Sequence, residues 1–160
     1  MKTDIRGMSP QSRVWVYQSS TPIAEPDLGK IKVRIGEFVD TWAAHQQPLS
    51  AWGDVLHQRF ILLVVDGTFN APSGCSIDES VAFIRSIEQE FGLTLFDRMT
   101  FSYQQDGEVF TVPRQDFQRL YREGKINDET LVFDNLVASK HDFENAWLKP
   151  ISESWHVRFV

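Results

Sequence analysis

The sequence predicts an α+β protein: a ferredoxin-like, split βαβ core over residues 13–104 and a C-terminal αβ extension over 105–160 packed on that core. Two observations carry the prediction. The spacing of apolar residues switches between alternation and helical recurrence in the order strand, helix, strand, strand, helix, strand. In addition, the first and third strand segments are apolar on both faces, whereas the second and fourth are mixed or one-sided. A split βαβ sheet places its first and third strands centrally, so burial and element order point to the same topology.

Residues 1–12 read as a flexible lead-in. In "RVWVYQ" (13–18) Val14 and Val16 alternate with Trp15 and Tyr17, so both faces are apolar, as in a strand covered on both sides. Two prolines punctuate the following loop. From Leu28 the period becomes helical through Ile31, Ile35, Phe38, Val39 and Trp42, which predicts a helix that starts around Glu25-Pro26-Asp27 and ends near Ala44. "SAWGDVLH" (50–57) reads as an edge strand and "RFILLVVD" (59–66) as a central one. His57-Gln58 would join them as a hairpin, without the glycine that a two-residue turn prefers.

After the loop "GTFNAPSGC", Ser76 and Glu79 have the spacing of a capping box. The predicted helix carries Ile77, Val81, Ile84, Ile87 and Phe91 along one stripe and stops at Gly92. In "MTFSY" (99–103) Met99, Phe101 and Tyr103 face a core, with Thr100 and Ser102 toward solvent, and Asp106-Gly107 turns the chain into "EVFTV". Beyond this, Pro113 opens a helix closed by Gly124, "TLVFDN" is a short strand, Ser139 caps a last helix that stops before Pro150, and "WHVRFV" reads as a terminal strand. Doubly apolar central strands need cover on both faces, and the extension would supply the second.

Composition narrows the functional classes. Of 160 residues, 42% are hydrophobic and 24% charged, which is ordinary for a soluble globular chain and excludes disorder. The net charge is −6, and the closest basic grouping, Lys30, Lys32 and Arg34, has the spacing of a solvated helix face, so nucleic acid is not an expected partner. No apolar run approaches the roughly 20 residues that span a bilayer. The first residues carry charge but no apolar core of a signal peptide. These features predict a cytoplasmic protein without a membrane partner. One cysteine allows no internal disulfide, and no zinc-type spacing occurs, so neither cofactor nor metal is expected.

That cysteine, Cys75, sits in "NAPSGCSIDES" where an apolar strand gives way to a helix. A helix N-terminus lowers a thiol's pKa through its unpaired N–H groups and partial positive charge. Ser73, Gly74 and Ser76 could add donors and form an anion-binding site. The competing reading is a small buried apolar side chain. A nucleophile would need a base. His57 falls at the opposite end of the strand from Cys75, His45 at the end of the first helix, and His141 in the first turn of the last. The position of His156 is not fixed by pattern. Asp66 and Asp78 flank the loop and would repel an anion; Asp78 suits the helix dipole.

The stretches "RFILLVVDG", "SGCSIDESVAFI", "LTLFDR", "TLVFDNLVASK" and "SWHVRFV" resemble a family of small uncharacterised bacterial proteins whose members often carry the label of ABC transporter ATPase. The label does not transfer: no Gly-x-x-x-x-Gly-Lys-Ser/Thr loop exists to cradle phosphates. The run "FSYQQDGEVFTVPRQDFQRLYREGKINDETLVFDN" resembles in layout the small GYF-type modules, which implies peptide or protein binding. Two functional expectations result: a non-catalytic binding or protein-interaction module, as monomer or homodimer, with an unknown protein or a small anionic ligand as partner; or a thiol-dependent small-molecule enzyme with Cys75 as its catalytic residue.

Overall fold

The computed structural model describes all 160 residues as a mixed α+β chain with antiparallel sheets. Its elements are β1 (Arg13–Gln18), α1 (Glu25–Thr41), β2 (Ala43–Ala44), β3 (Gln47–Pro48), β4 (Ser50–Leu56), β5 (Phe60–Asp66), α2 (Gly74–Phe91), β6 (Thr100–Gln105), β7 (Glu108–Pro113), α3 (Arg114–Arg122), β8 (Leu131–Phe133), α4 (Lys140–Ala146) and β9 (Leu148–Pro150). Two 3₁₀ turns, Ile151–Glu153 and Trp155–Phe159, end it.

The first sheet has the order β1-β5-β4. Its centre is β5, whose residues Phe60 through Val65 are all buried. One face, with Ile61, Leu63 and Val65, packs against Ile31, Ile35 and Val39 of α1 and Ile84 and Ile87 of α2. Gly53 on β4 lets α1 come this close: a Cβ there would lie 2.6 Å from Ile35 Cγ2. The other face, with Val14, Phe60, Leu62 and Val64, packs against Phe133, Val137 and Trp147.

The second sheet, β7-β6-β8-β9, has its own core of Phe101, Tyr103, Phe117, Ile126, Val132 and Ile151. It accounts for most departures from the sequence expectations. The segment 99–103 does not border β1; it becomes an inner strand here, so the expected boundary at 104/105 cuts through the β6–β7 hairpin. Met99 is exposed, and Ser102, expected toward solvent, is buried. The Ser102 hydroxyl donates to Gln18 Oε1 at 2.7 Å and lies 2.7 Å from Thr111 Oγ1, so a satisfied polar seam rather than water covers that face. "WHVRFV" forms a 3₁₀ turn instead of a strand because Ser154 caps it, accepting from the His156 N–H, while Trp155 and His156 turn inward.

Residues 1–12 are not a loose lead-in. Lys2 bridges Ala51 in parallel, the Thr3 N–H donates to the Ala51 carbonyl at 2.8 Å, and Met8 is buried in the core beside Val14. The outer edge of β4 is thereby covered, as exposed strand edges require. Helix α1 ends at Thr41, earlier than expected, because residues 43–48 form a small β2–β3 hairpin. His45 sits in its turn and not on the helix; His45-Gln46 and His57-Gln58 both have two positive φ angles, the geometry of type I′ turns made without glycine.

Candidate functional site

The residues singled out around Cys75 lie on the connection from β5 to α2, at the end of the first sheet's central strand. Asp66 closes β5 and organises the turn: its Oδ1 accepts from the Thr68 N–H at 3.1 Å and the Thr68 hydroxyl at 2.6 Å, and its Oδ2 accepts from the Ser9 N–H at 3.0 Å. Hydrogen bonds from Thr68, then from the Ser9 backbone, hold its carboxyl below the usual range. Asn70 fixes the middle of the loop by donating its amide to the carbonyls of Gln47 at 2.9 Å, Pro48 at 3.3 Å and Ala44 at 3.4 Å.

The helix begins three residues before the expected start. Ser73, not Ser76, is the N-cap, and the capping partner is Ser76, not Glu79. The Ser73 hydroxyl accepts from the Ser76 N–H at 3.1 Å, and the Ser76 hydroxyl accepts from the Ser73 N–H at 2.7 Å. The chain reads S-x-x-S here, and two hydroxyls satisfy the reciprocal geometry that a glutamate was expected to supply. The expected anion site of Ser73, Gly74 and Ser76 is therefore largely self-filled. Both serine N–H groups are consumed inside the cap, and Ser76 is buried, with its carbonyl accepting from Trp42 Nε1 at 2.8 Å.

Cys75 is exposed, which overturns its reading as a buried packing residue. No hydrogen bond ties it to a histidine: the hydrogen-bonded histidine rings are His141, with Asn145, and His156, with Ser154. His57 lies at the far end of β5 and packs on Phe60, Phe133 and Trp147; burial, then the Arg59 charge, lowers its pKa. His156 is buried beside Trp155, Phe101 and Phe117 in the second core. No group of three or more His, Cys, Asp or Glu side chains is placed to hold a metal ion. No helix is long and apolar enough to cross a membrane.

Two features of the same connection carried no pattern in the sequence. Phe69 is fully exposed, at 100% of its reference surface, between the pinned Thr68 and the pinned Asn70. At the same connection, a cleft of about 300 Å³ opens between residues 9–13 and 66–72. The only advance signal for Phe69 was a lone aromatic in a Gly-, Asn- and Pro-rich turn region. The cleft joins segments more than fifty positions apart, which no local period reports.

No protein-family model matches the chain, and no curated protein or solved structure shows significant similarity to it.

Proposed function

We propose that the chain is a non-catalytic protein-interaction module whose contact surface is centred on Phe69. One observation carries this reading: a completely solvated phenyl ring held on a loop with little freedom. Burying such a ring contributes roughly 1.5–3 kcal/mol. Here Asp66, Asn70 and the Ser73 cap hold the backbone on either side of it, so little ordering entropy remains to be lost when a partner covers the ring. Aromatic anchors of this kind dominate interface energetics.

Supporting considerations are the acidic net charge, which disfavours nucleic acid, and the resemblance of residues 101–135 to GYF-type binding modules. A ferredoxin-like origin for the first layer is supported by the strand order β1-β5-β4 with α1 and α2 on one face, although its fourth strand has moved to the second sheet. We place the protein in the cytoplasm, in keeping with its free thiol. The alternative of a thiol-dependent enzyme has the exposure of Cys75 in its favour and lacks a hydrogen-bonded base.

The test compares wild type with Phe69→Ala and Phe69→Asp in quantitative crosslinking from cells and in sedimentation of the purified chain. Both variants should keep wild-type stability while losing a heterologous partner that wild type retains. A partner set and a sedimentation profile identical across all three proteins would refute the reading. Loss of a self-associated species alone would reassign Phe69 to a homodimer contact.

A further inference from the structure

The cleft beside the β5–α2 loop has the makings of a second, independent site. Its walls are Ser9, Gln11, Ser12 and Arg13 on one segment and Asp66 to Thr68 with Ala71 and Pro72 on the other, polar side chains set among apolar surface. Strand register explains how the charges are arranged. Arg13 pairs with Val65 and Val14 with Val64, so Arg13 lies on the helix-bearing face of the sheet with Val65, and Ser12 and Asp66 lie toward the opposite face. The cleft straddles the sheet end, with a cation at one wall and an anion at the other.

Each charge retains binding capacity. Asp66 Oδ2 accepts only from the Ser9 N–H, which leaves a lone pair open. Lys140, whose field favours the ionised Asp66, gives its ammonium to the Met8 carbonyl at 2.8 Å and lies 3.9 Å from Glu144. Arg13 belongs to none of the ion pairs of the chain; its guanidinium rests 4.9 Å from the centre of the Trp15 ring, which orients it without neutralising it. Ser12 is 2% exposed, and its buried hydroxyl has no hydrogen-bond partner, a state that native structures rarely leave unfilled. The walls are preformed, since Asp66 ties residue 9 to residue 68 across the opening.

We propose that this cleft binds a small zwitterion, an amino acid or short peptide, with Asp66 receiving its ammonium and Arg13 its carboxylate. Two charges of opposite sign on opposite walls select a ligand that carries both and discriminate against one that carries either alone. The volume, about 300 Å³ and at the lower end of ligand pockets, admits a dipeptide-sized molecule. The inference is independent of Phe69.

The test is an amide-resolved NMR titration with diglycine as the probe and with acetate and methylamine as its separate charged halves. Diglycine should give saturable shifts confined to residues 9–13 and 66–68, with acetate and methylamine at least about tenfold weaker. Asp66→Asn, which keeps an acceptor for the turn, and Arg13→Gln, at an exposed position, should each weaken diglycine about tenfold. Phe69→Ala should leave it unchanged, so failure of the interaction reading and failure of this one are separable. Absence of saturable shifts, equal affinity for acetate or methylamine, or binding that survives both substitutions would each overturn the proposal.

Discussion

The indole N–H of Trp42 donates to the carbonyl of Ser76 at 2.8 Å, joining the residue that ends α1 to the first turn of α2. Trp42 is 1% exposed and packs on Trp15 at 5.8 Å and Phe38 at 5.0 Å, and Phe38 in turn stacks on Phe83 of α2. The pair fixes how the two helices meet over the sheet, and with them the base of the loop that carries Phe69 and the first turn of α2 that carries Cys75. Trp42→Phe should lower unfolding free energy by about 1–3 kcal/mol, through the lost hydrogen bond and the gap left by the smaller ring. Urea denaturation followed by far-UV circular dichroism measures this; an unchanged midpoint would mean the contact is incidental.

Gly53 makes a second, steric prediction. A methyl group there meets Ile35 Cγ2 at 2.6 Å, Leu63 Cδ2 at 3.0 Å and the Leu62 carbonyl at 3.1 Å. The backbone oxygen cannot move without disturbing the β4–β5 ladder, and Ile35 is fully buried. Gly53→Ala should therefore destabilise by about 1–3 kcal/mol, although alanine suits a strand better than glycine does. Gly74→Ala, where the added methyl meets open space, is the control and should change stability far less.

What was legible in the sequence is what depends on apolar spacing. Continuous apolarity from Phe60 to Val65 marked the central strand, and the recurrence of Ile31, Ile35 and Val39 marked α1. Polar residues were misread wherever the fold satisfies them internally. Ser102 looked like a solvent-facing position, yet Gln18 and Thr111 bury it. Ser76 and Ser80 occupy the buried side of α2's first turns, where the apolar stripe of Ile77 and Val81 pointed one position away. Alternation reports which residues are polar; whether water or another side chain satisfies them is decided by partners distant in sequence. The cleft stayed invisible for a related reason, since its two walls lie more than fifty positions apart.

Cys75 yields a direct solution test. The thiol is exposed on the folded surface, so it should react stoichiometrically with a disulfide reagent in the native state, without prior unfolding. Cys75→Ser should alter stability by no more than about 0.5 kcal/mol, the range expected for a surface substitution. Labelling that appears only on adding denaturant would show the loop to be closed over the sulfur in solution.

His156 sets a pH dependence. The ring is 1% exposed, stacked at 3.8 Å on Trp155, and its Nδ1 lies 2.6 Å from the Ser154 hydroxyl. Burial pushes its pKa down to about 4; the nearby Asp134 carboxylate opposes this and Lys149 reinforces it. Asp134 itself is pulled upward by burial, but hydrogen bonds from Lys149, Trp155 and the Leu136 N–H outweigh that and leave its carboxyl low, so it persists as an anion. A histidine with a depressed folded-state pKa binds its proton more readily once unfolded. Its contribution is complete above the ordinary value of 6.5 and is lost as pH falls from there toward 4, on the order of 3 kcal/mol in all. Unfolding free energy measured between pH 7 and 4 should decline over that window, and His156→Phe, which keeps an aromatic ring without the titrating nitrogen, should flatten the decline. An equal slope in the variant would place the acid sensitivity elsewhere.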